Sequence, residues 1–379
     1  MKIEEFGVET WMNAYETRCA LNLAETCVES LSIAELLALT GRNSDTLSEL
    51  LPMQMTYGAI EGSDRLRDAI CALYERQGHE NVAVTHGTIG ANALVYAALV
   101  SPGDRVVTIL PTYQQHYSIP QSYGADVQIV RLREEDGFQP DLEALASAAT
   151  PGTRMIAMVN PNNPTGALMP PDCLHRIIEI ARAADAWILC DEVYRGTDQV
   201  GDGVTASIAD LYEKGISTAG MSKAFSLAGL RLGWVVAPPE IIQDVLCHRD
   251  YNTISVGILD DNFAAIALEN ADRILARSRS ITRENLALLD EWVAAEPLVS
   301  YVKPTSGTTA LLKYAIDMPS RDFCISLLEE TGVLFAPGSA FEMEGYVRIG
   351  FGNNRDDLSV GLKRVSAFLR SHQPQGAHP

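Results

Sequence analysis

Basic residues are scarce in this sequence: 29 lysines and arginines stand against 49 aspartates and glutamates, a net charge of −20 over 379 residues. That deficit disfavours nucleic acid and anionic membrane surfaces as partners. Paired cysteines are missing too. Seven cysteines, at positions 19, 27, 71, 173, 190, 247 and 324, form no CxxC pair, and their odd number and mostly apolar neighbours read as reduced, buried thiols in a cytoplasmic protein. No apolar run approaches the roughly 20 residues of a spanning helix. The opening Met1-Lys2-Ile3-Glu4-Glu5-Phe6 lacks the basic-then-apolar pattern of a signal peptide. There is no internal repeat. The length allows two domains, or one large domain with a cap.

What is present is an alternation. An acidic opening of 45 residues reads as two helical pieces, 8–18 and 32–39, with Ser32 and Glu35 at capping-box spacing. A glycine-bracketed loop, 56–62, leads into a helix over 63–76. From residue 81, apolar runs at 81–84, 105–110, 126–130, 155–159, 187–190 and 234–237 read as buried strands, separated by helices at 90–99, 142–148 and 171–184. Such alternation predicts a largely parallel sheet covered on both faces, with ligands at the carboxyl ends of its strands. Past residue 255, helical sequence runs to 295. Strands at 299–302, 308–314, 333–336 and 346–351, with helices at 321–331 and 356–370, then form a smaller α/β unit. Residues 373–379 read as a disordered tail.

Several strand ends carry chemistry. Ser222-Lys223 sits among small and hydroxylated residues, with Arg231 eight positions on between glycines. A lysine in such a setting loses hydration, which lowers its pKa and frees the amine to attack a carbonyl carbon; the arginine fork suits a phosphate. Taken alone, the stretch fits an ordinary surface loop equally well. Asn160-Pro-Asn-Asn163-Pro-Thr-Gly166 is a rigid turn that can aim an asparagine side chain. Asp191, ending an apolar strand, stays charged only with a cationic partner. Gly87-Thr88-Ile89 opens a helix and offers free N–H groups and a hydroxyl to an anion. Tyr113 follows another strand and could stack on a flat ring, although a lone tyrosine there fits packing better. Together these pieces ask for a flat, phosphorylated aldehyde with a ring nitrogen, the chemistry of pyridoxal phosphate.

In order, Tyr57-Gly58…Gly62, Gly87, Pro111-x-Tyr113, Asn163-Pro-Thr-Gly166, Asp191-x-x-Tyr194, Ser222-Lys223…Arg231 and Arg348 resemble the class I/II aminotransferase family of fold type I pyridoxal-phosphate enzymes, over residues 50 to 370. The resemblance implies an α/β fold: a large cofactor-binding domain over 46–255, with a mostly parallel sheet in an α/β/α sandwich, and a smaller C-terminal α/β domain over 256–370. An N-terminal arm, 1–45, would cross the substrate entrance and pack with the small domain, and 371–379 would be tail. The implied cofactor is pyridoxal 5'-phosphate. Lys223 would form the Schiff base and shuttle protons, Asp191 would hold the pyridinium proton, Asn163 and Tyr194 the phenolic oxygen, and Tyr113 the ring face. Gly87, Thr88, Ile89, Ser222 and Arg231 would hold the phosphate. Tyr57 would reach the phosphate of a neighbouring subunit, implying a homodimer with sites at the interface. Arg348 would grip a substrate's α-carboxylate, and Asn163 would also contact the substrate.

Two positions depart from the family pattern. Gly220 stands where a phosphate-binding serine is common, which shifts the phosphate onto Ser222, Thr88 and Arg231. Gly90 replaces a larger polar residue, leaving room near the cofactor. The motif set makes an aminotransferase acting on a small amino acid the base reading. Glu16 and Glu25, placed to reach the entrance, suit a substrate with a cationic tail, arginine-derived or sulfonium, and so an elimination, cyclisation or replacement at Cβ or Cγ. A solvated, irrelevant Glu25 is as good a reading. A non-catalytic regulator built on the same fold would need a basic DNA-binding segment, and none is seen.

Overall fold

The computed structural model describes residues 2–372. The chain opens with α1 (Gly7–Tyr15), a short strand β1 (Leu21–Asn22) and helices α2 (Ile33–Leu39), α3 (Asp45–Leu50) and α4 (Asp64–Cys71). Ser32 and Glu35 form the capping box that their spacing predicts: Ser32 Oγ accepts the Glu35 N–H at 3.2 Å and Glu35 Oε2 accepts the Ser32 N–H at 2.8 Å.

Strands and helices then alternate: β2 (Val82–Thr85), α5 (Gly87–Leu99), β3 (Arg105–Leu110), α6 (Gln115–Ser122), β4 (Asp126–Arg131), α7 (Leu142–Ala148), β5 (Thr153–Val159) and α8 (Pro171–Ala184). They continue as β6 (Trp187–Asp191), α9 (Ile208–Leu211), β7 (Gly215–Gly220), β8 (Gly233–Val236) and α10 (Pro239–Asp250). Seven of these strands make one sheet in the order β2-β8-β7-β6-β5-β3-β4. Every pairing is parallel except the two made by β8. Side chains alternate between the faces, as strand geometry requires. Met155 and Ala157 of β5 join the core under α5 and α10, and Ile156 and Met158 join the core under α7 and α8. Each such buried Ile or Met contributes about 1.5–3 kcal/mol.

Three expectations for this large sheet and its helices need correction. β7 has no counterpart among the expected strands, because Gly215-Ile-Ser-Thr-Ala-Gly220 has one bulky apolar residue; it is nevertheless fully buried inside the sheet, between β8 and β6. Small residues there admit the close approach of α5. β4 is the edge strand and is mostly exposed or half-buried rather than buried. Helices α6 and α10 are likewise additional to the expected set: α6 contains Pro120, and α10 starts on a proline pair that reads as a turn.

The last region comprises α11 (Ile258–Leu268), α12 (Ala271–Ala295), β9 (Val299–Tyr301), β10 (Thr309–Tyr314), α13 (Ser320–Thr331), β11 (Val333–Leu334), β12 (Ala336–Pro337), β13 (Tyr346–Gly350) and α14 (Arg355–Ser371). An antiparallel sheet runs β12-β13-β10-β9, while β11 pairs in parallel with β1. The single strand expected over 333–336 is therefore two strands in different sheets. The N-terminal segment is sewn into this region: Trp11 is fully buried with Phe323 and Phe368, and its indole N–H donates to Phe335 O at 2.9 Å. Helix α1 stops at Tyr15, short of the expected Arg18, and residues 16–20 turn the chain toward β1. The expected 373–379 tail lies outside the described residues. Among the described residues no helix is long and apolar enough to cross a membrane.

Candidate functional site

One edge of the seven-stranded sheet gathers most of the residues picked out from sequence. Strands β2, β3, β5, β6 and β7 run the same way, so the loops after Thr85, Leu110, Val159, Asp191 and Gly220 emerge together. Antiparallel β8 begins at that edge, which delivers Arg231, two residues before it, beside Lys223. The loops wall a cavity of about 290 Å³. Lys223, Asp191, Tyr194, Asn163 and Tyr113 line it, as do Thr88, Ile89, Ser222 and Arg231. Arg348 arrives from β13, and Glu16 and Glu25 from the N-terminal segment. Tyr57 lies apart from the cavity and is 68% exposed. Gly90 does not line it either; a Cβ there would meet only His86 Cβ, at 3.9 Å, so the expected extra room lies elsewhere.

Lys223 Nζ donates to Thr26 Oγ1 at 2.6 Å and to Cys27 Sγ at 3.4 Å, with Glu25 Oε1 3.7 Å away. The expected lowering of its pKa is not found. Burial does pull the amine down, but the negative charge that Cys27 and Tyr194 acquire on losing their protons, with the Glu25 carboxylate, outweighs it and raises the pKa above the ordinary lysine value. Burial alone would raise Glu25; Lys223 and the N–H groups of Cys27 and Thr26 instead hold it down at about 2. Burial pushes the Cys27 thiol up to about 11, so it is neutral at physiological pH.

Asp191 is buried at the end of β6. Its Oδ2 accepts from Asn92 Nδ2 at 2.8 Å and its Oδ1 from the Val193 N–H at 3.1 Å. Asn92 is itself oriented by Thr218 Oγ1, which donates to its Oδ1 at 2.6 Å. Among the described residues, the basic side chain in contact with this carboxylate is His116, whose Nε2 lies 3.8 Å from Oδ2 and has no hydrogen-bond partner. The Tyr96 hydroxyl engages the other ring nitrogen at 3.0 Å.

The donors for an anion are laid out at both ends of the cavity. At one end, α5 starts without a side-chain cap, leaving its first N–H groups unspent. Thr88 Oγ1 is buried without a partner. A Cβ on Gly220 would lie 2.6 Å from that hydroxyl, so Thr88 fills the volume a serine at 220 would need. Gly233 of β8 is equally constrained: a Cβ there would overlap the Gly87 carbonyl carbon and lie 2.5 Å from Thr88 N. Arg231 folds over Gly87, whose built Cβ would be 3.1 Å from Nη2. It does so from a left-handed backbone, φ 48°, a strain of about 1–3 kcal/mol that tends to persist at functional sites. At the other end Arg348 is 4% exposed. Its guanidinium donates to Asn163 Oδ1 at 3.2 Å and Ala24 O at 3.0 Å, lies 4.9 Å from the Phe341 ring, and leaves Nε unpartnered. A buried arginine with spare donors and no carboxylate is an anion site by its chemistry. These unspent donors, with an amine and a buried carboxylate between them, fit pyridoxal 5'-phosphate and an amino acid's carboxylate.

Five polar residues that line or brace the site are absent from the sequence-based set. Thr26 and Cys27 lie within the N-terminal arm expected to cross the entrance, directly after Glu25. Asn92 follows Thr88 by one turn of α5 and so shares its face, a spacing that could have marked it. Glu9 accepts from the Tyr113 hydroxyl at 2.6 Å and, with Phe6 at 4.8 Å ring to ring, fixes that aromatic. His116 carries no sequence signal.

The family described as aminotransferase class I and II matches residues 48–365. Capreomycidine synthase of Streptomyces vinaceus is 32% identical over 96% of this chain and 94% of its own. Among solved structures, a PLP-dependent aminotransferase from Streptococcus suis superposes with a TM-score of 0.96 at 43% identity, covering 99% of this chain and 100% of that one. The PLP-dependent cyclase OrfR superposes with a TM-score of 0.90 at 30% identity, covering 98% of both chains.

Proposed function

The chain belongs to the aminotransferase class I and II family and is a pyridoxal-phosphate enzyme of aminotransferase-like or cyclase type; from that premise we propose that it transforms an amino acid whose side chain ends in a cation. The observation that carries this reading is the division of charge around one cavity. Three cations line it, Lys223, Arg231 and Arg348. Each is already committed, Lys223 to the cofactor aldehyde, Arg231 to the phosphate and Arg348 to the α-carboxylate. No lining cation is left for an acidic side chain, whereas Glu9, Glu16 and Glu25 all face the same space.

When bound, pyridoxal phosphate withdraws electrons from Cα and leaves the choice of bond to the protein. Asp191, fixed by Asn92 and Val193, holds the ring-nitrogen proton. Asn163 and Tyr194 would hold the phenolic oxygen, and Tyr113, fixed by Glu9 and Phe6, would cover the ring face. Thr88, Ser222, Arg231 and the first N–H groups of α5 hold the phosphate. Arg348 orients the substrate through two N–H bonds to its carboxylate, and Lys223 Nζ moves the proton at Cα. The active unit is a homodimer in which Tyr57 of each copy reaches the other's phosphate; the exposed run Leu51, Met55 and Tyr57 gives a second copy an apolar surface to cover.

Transamination is the first reaction to test. A cyclisation or elimination at Cβ or Cγ is the second, favoured by the carboxylates and by likeness to a capreomycidine synthase and a cyclase. Loaded enzyme is incubated with L-arginine and 2-oxoglutarate. Glutamate formed one for one supports transamination; with an arginine carrying a β-hydroxyl leaving group in place of L-arginine, loss of water to a cyclised or deaminated product without the oxoacid supports the second reading. If L-aspartate perturbs the cofactor spectrum and L-arginine does not, the cationic-tail assignment is wrong. The Schiff-base role is tested apart: Lys223→Ala is expected to lose the visible absorbance band that the wild type gains with pyridoxal phosphate, and retention of the band would refute it.

A further inference from the structure

We propose that Thr26 is the positioning residue of the Lys223 amine, holding and aiming that nitrogen whenever it is free to move a proton. The proposal rests on the reading of Lys223 given above and adds to it a group from a distant part of the chain, the loop between β1 and α2.

The loop is built to leave Thr26 no freedom. Asn22 Oδ1 accepts the N–H groups of Ala24 and Glu25, both at 3.1 Å, and Glu25 Oε1 accepts those of Thr26 at 2.6 Å and Cys27 at 2.9 Å. Thr308 Oγ1 donates to Thr26 O at 2.6 Å, so both backbone polar groups of Thr26 are spent. Strand β13 presses the loop from behind: Gly350 N–H donates to Leu23 O at 2.7 Å, and a Cβ on Gly350 would overlap Glu25 O. On the front, Val28 N–H donates to Lys223 O at 3.4 Å, tying the lysine's backbone to the same loop.

The only polar group left on Thr26 is its hydroxyl, and it meets Lys223 Nζ at 2.6 Å. It also faces the Tyr194 phenol, which burial pushes above its ordinary pKa, a shift that a hydrogen bond from Thr26 partly offsets. A hydroxyl accepts and donates at once, whereas an ammonium only donates. Thr26 can therefore take a hydrogen bond from the lysine while giving one to Tyr194. The β-branch stiffens χ1 further, and the residue is 6% exposed, so no water competes freely for the contact. A lysine amine rides on a flexible four-carbon stem. One short bond to a group that cannot itself move converts that reach into a defined position, the kind of placement on which proton transfer depends. Cys27, at 3.4 Å and with a neutral thiol, is the weaker second contact.

The test reads the amine directly. Wild type, Thr26→Val and Thr26→Ser, each freed of cofactor, are treated with acetic anhydride at one mildly alkaline pH. Labelling of Lys223 is followed by mass spectrometry, with exposed Lys303 as internal reference. Loss of the acceptor destabilises the protonated amine, so Thr26→Val is expected to label Lys223 about tenfold faster, the effect of one pKa unit. Thr26→Ser should match wild type, and reloaded Thr26→Val should regain the visible band. A merely structural threonine would leave the rate unchanged, and superimposable rates for wild type and Thr26→Val would overturn the proposal. If the valine variant does not refold or reload, Thr26→Ala carries the same measurement. Failure of the cofactor reading registers elsewhere, as a visible band that survives Lys223→Ala.

Discussion

At Gly220 a missing side chain is answered by a present one. A serine there would place its Cβ 2.6 Å from Thr88 Oγ1 and 3.0 Å from Leu232 O, both already in position. Gly220→Ser is therefore expected to weaken cofactor binding by at least about tenfold, read from a visible-band titration, because it displaces Thr88 rather than adding a hydroxyl. The departure from the family pattern was legible in the sequence; that Thr88 already fills the space was not, since the two residues lie on different elements. Arg348→Lys should raise the apparent Kd for an amino acid roughly a hundredfold, about the 3 kcal/mol of a charge-assisted bidentate pair, measured by spectral titration. Glu25 makes a prediction in pH. Its folded-state pKa, about 2, lies below its ordinary value of 4.5. Its contribution to stability is thus full above 4.5 and lost as the pH falls through about 2. Glu25→Gln should flatten the acid-unfolding curve across that window; an unchanged curve would mean the pairing with Lys223 contributes nothing.

At the scale of elements, the strands with bulky apolar runs were legible and the one made of small residues was not. β3 and β5 announce themselves by Val, Ile and Met. β7 is buried because α5 lies close against it, and closeness selects small residues, which erases the hydrophobic signal. The antiparallel insertion of β8 was equally silent, although it delivers Arg231 to the edge that holds Lys223. Gly233 tests this arrangement. Gly233→Ala pushes a methyl into the Gly87–Thr88 backbone, and the expected outcome is a loss of about 3 kcal/mol or more by denaturant unfolding, together with loss of the visible band. A variant of full stability that keeps the band would show that α5 can step back from the sheet.

For the whole molecule, the motifs from 87 to 231 and Arg348 could be read along the chain, whereas in the loop that touches Lys223 only Glu25 was picked out, and Thr26, 197 residues from the lysine, was not. If Tyr57 serves the partner's site, two defective homodimers should complement each other. Tyr57→Ala and Lys223→Ala, each inactive alone, should recover up to roughly a quarter of wild-type activity when refolded together, since half the dimers are hybrids with one intact site; no recovery would place Tyr57 in its own subunit's affairs. The stitching of the first residues to the last also sets a schedule for the newborn chain. Trp11 awaits Phe335, Thr26 awaits Thr308, and Ala24 awaits Arg348. While the ribosome is still extending the second half, the lysine-bearing sheet can form but its pocket stands open to solvent and to competing aldehydes. Contacts of such long range close slowly, so the pocket is fully walled only once the C-terminal strands have emerged.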